Sequence, residues 1–359
     1  MTLASSAPLL GTLIGGGLDG LAAMAAVLDL PLAQFNFFGA PGLSDIVSEV
    51  ETIANGFRND FQNWGQSFYV LLFALQFLLL GATMVVKGPF AIATYRPIHA
   101  LNPFANFFFF LLAGTLGYLF VANGHGFAQW VFNWFEAAGE ATGCTRDISL
   151  LITSVDACDA DGLARIGMQL SGIMLAFTEA AGNSGSNPIS WIANSAGAST
   201  AVFSAFSVIS IQLTITEAAF VLAVVTAPLF LSTIVAQPVS GIATGYLSFV
   251  MYLGVKLFVL KLVAGLMTIV ADAWFDAILT QILGDVLSGL AGSLFGVGGG
   301  GGFEIGALFG FNLSLITTSL LFISLALYLP TKLAGMASQR LNLDLNGILF
   351  RGDFPVQIA

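Results

Sequence analysis

The sequence contains very little charge. Only 8% of its 359 residues are Asp, Glu, Lys or Arg, whereas a soluble domain carries about 25%. Hydrophobic residues make up 57% of the chain, which leaves too few polar side chains to cover the surface of a soluble protein of this length. These two proportions exclude an ordinary soluble domain and predict a polytopic membrane protein.

Basic residues are the scarcer of the two kinds of charge. Ten Lys and Arg stand against 20 Asp and Glu, so the formal net charge is −10. Tight binding of nucleic acid draws much of its affinity from Lys and Arg side chains that neutralise phosphates. The charge balance therefore argues against a dedicated DNA-binding surface.

Motifs of catalysis, metal binding and cofactor binding are missing as well. The sequence has no GxSxG, Walker or CxxCH motif. His99 and His125 are separated by a hydrophobic run and lack the spaced cysteine or carboxylate partners of a metal site. The acidic stretch DACDADG at 156–162 has Ala157 where a calcium-binding EF-hand loop needs a carboxylate. We predict that the protein is not an enzyme and holds no metal or cofactor.

Cysteine occurs only twice. Cys144 and Cys158 are separated by 13 residues in an acidic stretch, and we predict that they form a disulfide. Closing this loop would stabilise the fold by about 3 kcal/mol in the chain-entropy model. It would also require an oxidising compartment such as the bacterial periplasm. The alternative is a pair of unbonded thiols that act as small apolar side chains.

Long hydrophobic runs are abundant. Four runs reach the roughly 18 residues that a membrane-spanning helix needs, and they lie at 67–87, 104–122, about 245–270 and about 307–331. A fifth region, 200–235, is too long for one perpendicular span. It is either one tilted helix that projects from the bilayer or a helix broken near Pro228, which lacks a backbone donor and would kink it. The pattern predicts an all-α polytopic membrane protein with about five transmembrane helices.

The basic residues indicate the orientation of these helices. Lys87 and Arg96 flank the first connection between spans, and Lys332, Arg340 and Arg351 follow the last span. Because cytoplasmic loops carry an excess of Lys and Arg, both places are predicted to be cytoplasmic. The N-terminus is then periplasmic and the C-terminus cytoplasmic. The first residues lack the positive region of a signal peptide, so we expect them to be retained.

The tryptophans support this orientation. All five lie next to the outer ends of predicted spans, at Trp64, Trp130, Trp134, Trp191 and Trp274. Tryptophan is enriched at membrane interfaces, where its ring meets both apolar and polar surroundings. The alternative for each is ordinary packing in the core.

This topology divides the chain into five regions. They are an N-terminal periplasmic or interfacial amphipathic region at 1–66, transmembrane helices 1 and 2 at 67–122, a periplasmic loop with both cysteines at 123–199, transmembrane helices 3 to 5 with a periplasmic segment (271–306) at 200–335, and a cytoplasmic tail at 336–359. Apolar residues recur at intervals of three and four in 43–64 and 272–295, which predicts amphipathic helices. These helices would lie on the outer leaflet, pack on neighbouring subunits or cover the protein's own core.

Three ionisable residues fall inside the predicted spans, where isolated charge is costly and usually faces protein or water. Glu217 and Lys261 each lie 22 residues from a predicted turn near 239. If the two segments run antiparallel, both residues sit at similar depth, and we predict that they pair. Lys256 either faces protein or a lumen or extends its ammonium along an amphipathic flank.

Two stretches resemble a known family. The run ITEAAFVLAVVTAPLFLSTIV at 215–235, followed by GVKLFVLKLVAGL at 254–266, is similar to the TrbL family of inner-membrane components of conjugative type IV secretion systems. The matching features are Glu217 in an apolar run, Pro228 eleven residues later, and the Gly-Val-Lys-Leu stretch at 254–257. The resemblance covers roughly 55 residues, and Lys261 departs from the pattern.

The resemblance implies a structural function. It suggests a channel or assembly component in the bacterial inner membrane that forms a homo-oligomeric ring among membrane lipids. Its expected partners are secretion ATPases and pilin, with single-stranded DNA or protein substrate present only in transit. One alternative is a secondary transporter with a site at the bilayer midplane. Another is an accessory subunit of a respiratory or photosynthetic membrane complex.

Overall fold

The computed structural model describes residues 42–87, 103–143, 148–150, 153–155, 159–182, 188–236, 239–295 and 305–340. Its regular elements, in chain order, are α1 (Leu43–Lys87), α2 (Pro103–Ala122), α3 (Gly124–Gly143), β1 (Ile148–Leu150), β2 (Thr153–Val155), α4 (Ala160–Gly182), α5 (Pro188–Leu231), a 3₁₀ helix (Ser232–Val235), α6 (Ser240–Phe295) and α7 (Ile305–Arg340). In these ranges everything except one short hairpin is helical, so the predicted all-α class is confirmed.

Several helices are much longer than a bilayer is thick. α1, α5 and α6 contain 45, 44 and 56 residues, which corresponds to roughly 66 to 84 Å at 1.5 Å per residue. The hydrocarbon core measures about 30 Å, so each of these helices has turns to spare beyond one crossing. Region 200–235 is one helix up to Leu231, and Pro228 lies in its last turn. The kink expected at Pro228 stays a prediction.

Three helical stretches are long and apolar enough to cross a membrane. They are Ala196–Val235, Ser240–Ile278 and Gly310–Ser338. Phe110–Ala122 in α2 is also apolar but shorter. The described residues thus support three of the five predicted spans, and the count of five stays a prediction.

The chain folds into two compact units. One contains the chain up to Asp45 together with Gly139–Thr214 and Leu260–Leu329. In its core, Gly167 of α4 packs directly on the Phe206 ring of α5, and Ser199 Oγ donates to Ser171 O at 3.0 Å. Fully buried side chains around this contact are Leu163, Ile166, Leu170, Val202, Ile209 and Leu213.

The start of α1 is capped within the same unit. Leu43 N donates to Asp161 Oδ1 at 2.7 Å, and both the amide and the hydroxyl of Ser44 donate to Asp161 Oδ2. Gly42 N donates to Asp45 Oδ2 at 2.8 Å. Because the first amides of a helix have no partner inside it, these carboxylates satisfy donors that would otherwise be lost.

A short hairpin lies between α3 and α4. β1 and β2 pair antiparallel, with Ile148 opposite Val155 and Leu150 opposite Thr153, and β2 contacts α4. The hairpin falls in the region that the sequence analysis treats as a periplasmic loop. Cys144 and Cys158 lie outside the described residues.

The second unit contains Ile46–Ala138, Ile215–Val259 and Pro330–Ala359. Its core joins α1, α2, α3, the end of α5 and the first half of α6. α1 and α2 run antiparallel, since Gln62 Nε2 donates to Ala122 O at 3.1 Å and Tyr69 OH donates to Gly114 O at 2.7 Å. The 3₁₀ helix packs on α2, and all four of its residues are buried.

Candidate functional site at the Pro228 helix end

Pro228 lies near the end of α5 and is buried. A proline has no backbone N–H, so the carbonyl four residues earlier loses its donor in the helix. That carbonyl belongs to Val224. His125 Nδ1 of α3 lies 2.9 Å from Val224 O, and because a carbonyl only accepts, Nδ1 carries the hydrogen. A side chain of another helix thus replaces the missing amide.

Other side chains satisfy neighbouring carbonyls at this helix end. Tyr246 OH of α6 donates to Ala223 O at 2.8 Å. Beyond Pro228, Ser232 Oγ donates to Leu229 O at 2.5 Å, and Thr233 Oγ1 donates to Phe230 O at 2.8 Å. The last carbonyls of a buried helix need such partners, because water cannot reach them.

Two glycines allow neighbouring helices to approach Pro228 closely. A Cβ added to Gly65 of α1 would lie 2.5 Å from Pro228 O. One added to Gly124 of α3 would lie 3.2 Å from Leu231 Cδ1 and 3.4 Å from Pro228 N. Only a residue without a side chain fits against this backbone. Gly124 directly precedes His125, so the same close approach brings the imidazole to Val224.

The His125 ring is held by one hydrogen bond. Its side chain is 3% exposed, and within the described part of the chain Nε2 has no hydrogen-bond partner. α3 lies outside the three candidate spans. Burial lowers the pKa of His125 below its ordinary value, while the hydrogen bond to Val224 opposes this shift and the Arg58 guanidinium adds to it. The neutral ring is therefore the favoured form.

Lys261 contacts a residue that the sequence analysis did not single out. Its Nζ lies 3.0 Å from Glu140 Oε1, with the lysine 3% exposed and the glutamate 54% exposed. A Cβ on the neighbouring Gly139 would lie 3.0 Å from both Cβ and Cδ of Lys261. The lysine stem therefore runs along a glycine, and its ammonium ends on a carboxylate that reaches the surface.

The other predicted site residues lie in α5 and α6. Glu217 and Lys256 are both partly buried. The predicted partners Glu217 and Lys261 belong to different compact units, and their pairing stays a prediction. The role of Lys256 on a protein-facing or lumen-facing surface also stays a prediction.

The tryptophans do not share one environment. Trp64, Trp130 and Trp134 are exposed, whereas Trp274 is buried. The three exposed rings fit the predicted interfacial belt, and Trp274 fits the alternative of core packing. Among the residues that the structure describes, no group of three or more His, Cys, Asp or Glu side chains could hold a metal ion.

Sequence reasoning identified Pro228 but missed the side chains that surround it. The proline rule alone announces that Val224 O needs a donor. It does not say which helix supplies one, because His125 lies 99 residues away and has no local motif. Glu140 was missed for the same reason, since only packing brings it to Lys261.

Comparison with protein families agrees with this architecture. Residues 90–307 match the model of the TrbL/VirB6 plasmid conjugal transfer proteins, a range that covers more than half of the chain and includes His125, Pro228 and both lysines of α6. Among curated proteins, none matches the sequence. The family match confirms the resemblance seen in the sequence, and the chain belongs to the TrbL/VirB6 family of plasmid conjugal transfer proteins.

Proposed function

We propose that this membrane protein is a channel or assembly component of a conjugative type IV secretion machine, and that copies of it form a ring for substrate passage and pilus assembly. The observation that carries the proposal is the family match over 90–307. This range includes two of the three candidate spans, Ala196–Val235 and Ser240–Ile278. The family is a structural component of secretion systems rather than a family of enzymes.

The helix lengths support a structural role. α5 and α6 each continue well beyond the roughly 30 Å of a hydrocarbon core. A helix of this kind can carry contacts from the membrane to components on either side of it. Secretion ATPases and pilin are the proposed partners, and DNA or protein substrate is bound only in transit.

A ring and a monomeric transporter can be separated by imaging. The full-length protein would be extracted in detergent from a donor strain and examined by electron microscopy, while a deletion strain is tested for plasmid transfer. We expect ring-shaped particles, and loss of transfer that the intact gene restores. Monomers with saturable uptake of a small solute would favour a transporter, and bound pigment or haem would favour a respiratory or photosynthetic subunit.

The proposed topology has five spans with a periplasmic N-terminus and a cytoplasmic C-terminus. Cysteines introduced near Arg96 and Arg340 should be shielded from an impermeant thiol reagent in spheroplasts, whereas one near Gly299 should react. The asymmetry of Lys and Arg motivates this expectation. Fast labelling near Arg96 would reverse the orientation.

We also propose the disulfide between Cys144 and Cys158. The hairpin supports it, because Ile148 and Val155 are paired and the cysteines lie four residues before and three residues after these positions in the sequence. An antiparallel ladder brings flanking segments of similar length back together. Mass spectrometry of protein taken from the envelope without reductant should find the two residues linked, and two free thiols would refute the bond.

A further inference from the structure

We propose that the Pro228 end of α5 is a hinge and that His125 is the lock that holds it closed. The inference does not depend on the ring or on the cargo. It rests on the missing amide of Pro228, the hydrogen bond from His125 Nδ1 to Val224 O at 2.9 Å, and the burial of every group involved.

The backbone is least restrained at this place. A helix residue is normally tied to the next turn by its carbonyl, and the tie from Val224 to position 228 is absent because position 228 is proline. α5 ends three residues later and tightens into the 3₁₀ helix Ser232–Val235. Proline and a change of helix type are two recurring causes of bending in helices, and here they coincide.

The turn beyond Pro228 holds itself together. Ser232 and Thr233 donate to carbonyls only three residues back, and Ala236 N donates to Thr233 O at 3.3 Å. These bonds all lie inside segment 229–236. They would survive a movement of the segment as a body, so they do not resist opening at Pro228.

Bonds from other helices therefore decide whether the hinge stays closed. His125 of α3 holds Val224 O, and Tyr246 of α6 holds Ala223 O. Water cannot replace the histidine while the site is closed, because its side chain is 3% exposed. Without the imidazole, Val224 O is a buried acceptor with neither a backbone nor a side-chain donor, and the state in which water reaches it becomes relatively more favourable.

Two substitutions of His125 separate the hydrogen bond from the packing. Asparagine places its Nδ2 near the position of the imidazole Nδ1, so His125→Asn keeps the donor. His125→Leu fills a similar space without one. A third substitution, Pro228→Ala, restores the backbone amide and gives Val224 O a donor in its own helix.

The opening can be read from the reactivity of a buried thiol. Ala236 is buried at the end of the mobile segment, and Ala236→Cys in the full-length purified protein provides the reporter. Its reaction with N-ethylmaleimide would be followed by mass spectrometry of the peptide containing position 236, so the two natural cysteines remain in place. Losing the bond should raise the labelling rate about tenfold in His125→Leu, the factor that corresponds to one buried hydrogen bond.

The matched variants decide the outcome. His125→Asn should label within about twofold of the parent protein, and in the Pro228→Ala background His125→Leu should change the rate by less than about twofold. Equal rates for the Leu and Asn variants, or a Leu effect that survives Pro228→Ala, would overturn the lock.

A further variant covers the case in which His125→Leu does not fold. Tyr246→Phe keeps the ring and removes only the hydroxyl that bonds Ala223 O. It should raise the labelling rate of the position 236 thiol by about threefold, since this carbonyl also has a helix donor, the amide of Ala227. An unchanged rate would mean that the side-chain bonds do not hold the segment, and the proposal would fail.

Discussion

The Pro228 helix end and the Lys261–Glu140 pair are two ways of placing polar groups inside a membrane protein. At the first, neutral donors meet backbone carbonyls, and His125 and Pro228 are both buried. At the second, a buried ammonium meets a carboxylate that is 54% exposed. Neutral groups can be buried completely once each is hydrogen-bonded. Ions remain costly to bury even when paired, so one of them reaches the surface.

Glycine has a different part in each place. Gly65 and Gly124 face the backbone of Pro228, whereas Gly139 faces the stem of Lys261. A backbone carbonyl fixed by surrounding helices cannot retreat from an added methyl group. A lysine stem with four rotatable carbons can. The two sites should therefore respond very differently to the same small change.

The largest expected effect comes from Gly65→Ala. The added Cβ would lie 2.5 Å from Pro228 O, and forcing apart a packed backbone costs about 3 kcal/mol. Gly56→Ala on the same helix is the control, since no described atom lies within 4 Å of a Cβ built there. It should be neutral or stabilise by up to about 1 kcal/mol, because alanine favours helix. Thermal unfolding in detergent measures both, and equal melting temperatures would contradict the close contact.

A smaller effect is expected at the ion pair. Glu140→Gln and Lys261→Met should each lower stability by about 1 to 2 kcal/mol, and the double variant should cost less than the sum by about 1 kcal/mol. The same thermal-shift cycle with Glu217→Gln tests the pairing that the sequence predicts. Additivity for Glu140 together with coupling for Glu217 would show that the lysine prefers the partner in its own predicted span.

A direct comparison of the glycines sharpens the contrast. Gly139→Ala should cost less than about 1 kcal/mol, because the atoms it approaches, at 3.0 Å, belong to a flexible side chain. It should also disturb the Glu140–Lys261 coupling more than the unfolding temperature. A loss as large as that of Gly65→Ala would mean that the lysine stem is as rigid as backbone.

The smallest effect concerns acid. Burial lowers the pKa of His125 from the ordinary 6.5, so the folded protein binds a proton at this site less readily than the unfolded chain. Stability from this group is present above about pH 6.5 and falls as the pH drops toward the lower pKa of the folded state. His125→Asn, which does not titrate, should lose less stability between pH 7.5 and 5.5. Parallel pH profiles for the two proteins would contradict this assignment.

Some features could be predicted from the sequence because they depend on local composition. The low charge and the long apolar runs indicate helices in a membrane whatever the tertiary arrangement, since backbone groups in lipid must bond within their own helix. The structure confirms the helical class and supports three of the spans. The motif around Glu217 and Pro228 indicated the family, and the match over 90–307 confirms it.

The boundaries of the helices were harder to predict. Segment 43–64 reads as an amphipathic helix and 67–87 as a separate span, yet α1 is one helix from Leu43 to Lys87. The amphipathic stretch 272–295 likewise continues α6 without a break. Hydropathy reports where the apolar surface ends. It does not report where backbone hydrogen bonding ends, because an α-helix continues equally well through polar residues of good propensity.

By itself, the sequence determined that this is a helical membrane protein of the TrbL/VirB6 family and that the carbonyl before Pro228 must find a new donor. Both follow from local chemistry: the cost of bare polar groups in lipid and the absence of an N–H in proline. Only the tertiary structure decided that His125 supplies this donor and that Glu140 meets Lys261, separated by 99 and 121 residues along the chain. Such partners are chosen by which helices can approach closely, and that approach is set where Gly65, Gly124 and Gly139 leave room.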